Sequence, residues 1–139
     1  MDLNGGFIAV GTARTIGVVL LTVPFIAFGG TFLLRVVQGG FPATPLQRSF
    51  YRAGHAHAGV LVILGMVIQL AVDLAGVEGI AATLSYGVLW AAILMPAGFF
   101  LSVASRGAER PNGLIGLLWL GAAGLAVGVI AAGMGLLAA

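Results

Sequence analysis

Four apolar runs, each long enough to cross a bilayer and nearly free of charge, leave this chain few ways to fold. A hydrocarbon core of about 30 Å takes about 20 helical residues, and the backbone polar groups inside it must be satisfied within the segment. The runs lie near Thr15–Val37, Arg52–Ala75, Ile80–Ser105 and Leu114–Leu137. With 60% of 139 residues hydrophobic, 7% charged and a mean hydropathy of +1.16, too little polar surface exists to coat a water-soluble globule. The expected fold is all-α: a polytopic membrane protein of one domain, residues 1–139, with four transmembrane helices in an up-down bundle and the lipid bilayer as its first partner. The first run is too long for the apolar core of a signal peptide. It ends in Arg35-Val-Val-Gln-Gly-Gly rather than a small-residue cleavage site, so it is expected to stay in the mature protein.

The arginines orient the bundle. The first connection carries Arg35, Arg48 and Arg52, and the third carries Arg106 and Arg110. The second has only Asp73 and Glu78, and the N-terminal segment only Arg14. Short loops rich in Lys and Arg stay cytoplasmic, which puts both termini on the non-cytoplasmic side. All the basic residues are arginine and they mark helix ends rather than forming a patch, so no nucleic-acid partner is expected. The lack of lysine beside abundant Ala, Gly, Val and Leu suggests a GC-rich bacterial gene, hence a bacterial inner membrane. Without cysteine, thiolate-metal, iron–sulfur and cysteine-nucleophile chemistry drop out.

Thr44-Pro45-Leu46-Gln47 reads as a capping box with proline at the first helical position, so the second helix is expected to begin near Pro45. Pro24 and Pro96 lie inside apolar runs and are expected to kink them. Gly124, Gly128 and Ala132 recur every fourth position on the last helix, a small-residue face for close packing. Its partner is either another helix of the same chain or a second copy. Tyr86, Trp90 and Trp119 read as interfacial anchors.

Chemistry concentrates in Arg52-Ala-Gly-His55-Ala-His57-Ala-Gly59, at the start of the second helix. Ionisable groups just inside the apolar boundary are costly enough to suggest a role. Residues two apart on a helix point to opposite sides, so His55 and His57 do not readily grip one metal ion together. Stepping by four and three from His55 gives Gly59, Val62, Met66, Gln69 and Asp73, a polar stripe expected to face inward. The same step from His57 gives Leu61, Leu64, Ile68 and Ala71, an apolar face for lipid or another subunit. His55 and His57 are the candidate metal ligands; with Met66 they are the candidate cofactor-binding residues, and haem b or a transition metal is the candidate cofactor. Haem needs ligands on opposite porphyrin faces, so the second comes from a symmetry-related copy or from Met66, Met95 or Met134.

The segment Phe50-Tyr-Arg-Ala-Gly-His-Ala-His-Ala-Gly-Val-Leu61 resembles helix starts in subunit-I-like proteins of the haem–copper oxidase and nitric oxide reductase superfamily. It is also similar to small bacterial membrane proteins bearing a His-Ala-His motif. The resemblance implies haem ligation at His55 or His57. That superfamily has more helices and further histidines, none present here, so no catalytic centre carries over. No Ser–His–Asp order, paired carboxylates or nucleotide-binding loop is found, and a non-catalytic role is favoured. Two readings stay open. One is a homo-oligomer or accessory subunit of a membrane complex holding haem or a metal. The other is an oligomeric channel or transporter using His55, Met66, Gln69 and Asp73.

Overall fold

A computed structural model describes residues 7–139. The chain runs through α1 (Val10–Val37), α2 (Pro45–Leu74), α3 (Gly79–Ser85), α4 (Gly87–Ser102), a 3-10 turn (Gly113–Ile115) and α5 (Gly116–Ala138). No strand occurs among the described residues. α3 and α4 together form one span, as do the 3-10 turn and α5, so four helical segments are long and apolar enough to cross a membrane.

Local chemistry sets the boundaries. α2 opens as the sequence predicts: the Gln47 N–H donates to the Thr44 hydroxyl at 3.2 Å, and the Thr44 N–H donates to Gln47 Oε1 at 3.0 Å. α1 starts at Val10, before the expected Thr15, so Arg14 lies within it. α1 and α4 run through Pro24 and Pro96. The third span is interrupted at Tyr86. There the Ser85 hydroxyl donates to the Ala82 carbonyl at 2.7 Å, and the Tyr86 N–H turns to Thr83 at 3.3 Å. A serine hydroxyl that takes a backbone carbonyl competes with the helical ladder in this way. α4 ends at Ser102, short of the expected Ser105, because Gln47 takes the carbonyls of Val103 and Ser105.

α2 is the centre of the array, with α1 against one side and α4 against the other; α5 lies on α3 and α4. The most apolar stretch of α1 has no buried residue. Lipid is as apolar as a leucine side chain, so helices in a membrane associate through close packing and polar contacts rather than through the hydrophobic effect. Glycines supply that closeness here. Gly87 lies against the Gly124 carbonyl, Gly98 against the Leu118 backbone and Gly65 against the Leu89 side chain. A Cβ on Gly128 would come within 2.9 Å of the Val88 nitrogen, and one on Gly121 within 2.7 Å of Met95. Two clusters fill the remaining space. One is central, around Leu61, Val62, Ala91, Ala92 and Met95. The other lies at the loop end, around Val36, Tyr51, Val103 and Ala108.

Among polar contacts, the Gln69 amide donates to the fully buried Ser85 hydroxyl at 2.9 Å and so ties α2 to α3. Ser85→Ala should lower stability by about 1 kcal/mol, the usual size of an interhelical hydrogen bond in a membrane. The thermal unfolding midpoint in detergent is the measurement, and an unchanged midpoint would show that Gln69 finds another partner.

Candidate functional site

The segment that carries both histidines sits where α1, α2 and α4 meet. α2 places successive residues about 100° apart, and its neighbours decide what each side chain meets. His55 turns to α1. A Cβ on Gly30 would lie 3.5 Å from His55 Nε2, and one on Gly29 would lie 3.8 Å from Nδ1, so the glycine pair makes room for the imidazole. Among the described residues, the His55 ring has no hydrogen-bond partner. His57 turns to α4. Its Nδ1 lies 2.7 Å from the Ala53 carbonyl, and its ring packs on Phe99 with centroids 5.0 Å apart. A carbonyl only accepts, so Nδ1 carries a proton and Nε2 is the ring nitrogen left to ligate.

The two histidines therefore serve different neighbours, as their spacing predicts, but the faces around them need correction. Leu61, placed by the sequence with His57 on a stripe for lipid or another subunit, is buried in the central core of this chain. The outer face of α2 runs instead through Ala56, Val60, Ile63 and Val67, all exposed. With a helix on either side, α2 turns only a narrow strip to lipid.

The polar stripe from His55 faces α1 and α3, and its members meet separate partners. Met66 packs on the central core. Gln69 is 3% exposed and donates to Ser85. Asp73 accepts the Ala9 N–H at 2.9 Å, just before the first turn of α1, where a carboxylate complements free backbone donors. Gly124, Gly128 and Ala132 face inward within the chain: the two glycines meet Gly87 and Val88 of α4, and Ala132 is 2% exposed. Of the two partners open for this face, it is the same chain.

An aromatic frame at the loop end escapes sequence reasoning. Phe32 meets Phe41 and Tyr51 edge-on at 5.2 and 5.3 Å, Tyr51 stacks on Phe100 at 5.6 Å, and Phe50 meets Phe99 at 5.6 Å. Gly54 is the close-approach point for Phe99 and Phe100. Beyond it, Gln47 Nε2 donates to Val103 at 2.9 Å and to Ser105 at 3.0 Å, while the Thr44 hydroxyl donates to Ala108 at 2.7 Å. The signals for these contacts were the adjacent pairs Gly29-Gly30 and Phe99-Phe100. Neither pair says which helix it will meet.

Among the described residues, no three His, Asp or Glu side chains converge as a metal site. No protein-family model, curated protein or solved structure matches this chain. The functional reading rests on the site alone.

Proposed function

We propose that this chain is a non-catalytic multi-pass protein of a bacterial inner membrane. It acts as a homo-oligomer or as an accessory subunit of a larger membrane complex, and contributes one imidazole to a haem b or a transition metal. Its spans form an up-down bundle with both termini on the non-cytoplasmic side. Contacts of Gly54 with Phe99 and Phe100, of Gln69 with Ser85 and of Asp73 with Ala9 support the antiparallel course. The arginines of the first and third connections support the orientation.

The observation that carries the ligand reading is the hydrogen bond from His57 Nδ1 to the Ala53 carbonyl. Metal-ligating histidines typically donate their second ring N–H to a carbonyl or carboxylate, which fixes the tautomer and raises the basicity of the other nitrogen. Ala53 does this for His57, and Phe99 restrains the plane of the ring. Neither His55 nor Met66 is placed to serve beside His57 as a second ligand. His55 turns to α1, and Met66 lies nine residues beyond His57, about 13.5 Å along the helix. A further ligand would come from a second copy or a partner subunit, so cofactor and assembly stand together. When bound, such a group supplies one-electron chemistry. His57 would hold it, with Phe99 packed against the ring.

Protein purified in mild detergent should show a Soret band or bound metal, with a mass above that of one chain by light scattering. His57→Ala should abolish the signal and His55→Ala should keep it. A colourless, metal-free monomer would sink the proposal. The channel reading needs His55, Gln69 and Asp73 to exchange partners along a path. Proteoliposome flux unchanged by His55→Ala and Gln69→Ala would exclude that stripe.

A further inference from the structure

A groove of about 680 Å³ opens at the loop end, between the α1–α2 connection and the segment after α4. Phe41, Pro42, Ala43 and Ala104 give it apolar walls, and among the described residues Arg106 is the only charged one lining it. Arg48 and Arg52 stand on other faces of α2 from Gln47 and Tyr51, the groove-lining pair, and are exposed. Thr44 and Gln47 also line the groove, but their polar atoms are already engaged with backbone groups.

Tyr51 is different. It is 6% exposed, with its ring held between Phe32 and Phe100. Among the described residues its hydroxyl has no hydrogen-bond partner. No buried polar side-chain atom among those residues is left unpaired. The hydroxyl is therefore the accessible tip of a buried ring, and the groove is where it emerges. A built-in donor on the floor, a cation at the rim and apolar walls together fit an anionic head joined to a hydrocarbon body.

We propose that this groove binds the phosphate of an anionic glycerophospholipid drawn from the surrounding bilayer, through the Arg106 guanidinium and the Tyr51 hydroxyl. The membrane is favoured as the source because the walls are apolar. The exposed Leu34 and Val37 of α1 also bring a lipid-facing surface to the same end. A phosphodiester accepts from both donors, and a guanidinium adds a charge-assisted contact. A zwitterionic head of the same size brings a competing cation near Arg106.

The test is native mass spectrometry of the full chain in mild detergent, with phosphatidylglycerol and phosphatidylcholine of identical acyl chains, and with inorganic phosphate alone. Phosphatidylglycerol should be retained at about tenfold lower concentration than phosphatidylcholine, the scale of one charge-assisted hydrogen bond. Arg106→Gln should erase that preference, and Tyr51→Phe should weaken it while preserving the ring packing. Arg14→Gln, at the far end of α1, should leave it intact. Equal retention of the two lipids, or a preference that survives Arg106→Gln, would overturn the proposal. So would phosphate alone binding with the same dependence on Arg106, which would make the site one for soluble anions.

Discussion

Gly87→Val should separate α4 from α5 and unfold much of the protein in detergent. At Gly87 the helices meet backbone to backbone: an added Cβ would run into the Gly124 carbonyl, with Gly128 Cα only 3.5 Å away. A flexible side chain can swing aside from an added methyl group, but a carbonyl inside a helix cannot. Overpacking usually costs about 1–3 kcal/mol, and a contact that can relax only by moving a whole helix belongs at the top of that range or above it. The fraction folded, followed by circular dichroism during SDS titration, should fall at much lower SDS than for the unmodified protein. Gly17→Val is the control, because among the described residues nothing lies within 4 Å of a Cβ added there. It should stay within about 0.5 kcal/mol. Equal effects of the two changes would mean that the α4–α5 crossing is not held by glycine contact.

Gln47→Ala should loosen the loop after α4 by about 2–3 kcal/mol, because each buried polar group left without its partner costs about 1–3 kcal/mol. Gln47 is 3% exposed, accepts from the Thr44 N–H and donates to the carbonyls of Val103 and Ser105. One side chain thus caps α2 and ends α4. Trypsin cleavage after the exposed Arg106 should become markedly faster in the variant. Gln47→Glu separates the two jobs: the acceptor remains, but the donor becomes a carboxylate oxygen facing two carbonyls. Its stability should be lowest at neutral pH and recover as the pH falls, since protonation restores an O–H donor. A Gln47→Glu protein that cleaves like the parent at all pH values would show that the clamp is not holding the loop.

The α2 cap shows what local chemistry makes legible. Thr44, Pro45 and Gln47 name the helix start because a capping box needs only residues three apart. The connection after α4 was visible as the break between two apolar runs that carries Arg106 and Arg110. The link between them was not, because a glutamine that satisfies its own helix gives no sign of reaching carbonyls more than fifty residues away. The small-residue face of α5 was readable as a face, yet its partner was not. Glycine permits close approach to any helix, whether in the same chain or another. The break at Tyr86 was missed because Ser85 looks like any serine in an apolar run until its hydroxyl is seen on the Ala82 carbonyl.

The histidine pair divides in the same way. A spacing of two sends His55 and His57 in different directions on any helix, and that much needed no coordinates. Which direction meets a neighbour was decided by α1 and α4, through Gly29-Gly30 and Phe99. The sequence by itself determined the number of spans, their approximate limits, the cap of α2 and the opposed histidines, since length, hydropathy and helical spacing are properties of one segment. The tertiary structure decided which faces are buried, where Gln69, Asp73 and Gln47 find partners, and where the loop-end groove opens. In a chain apolar on every side, lipid-facing and protein-facing residues look alike, and only the packing of helix on helix separates them.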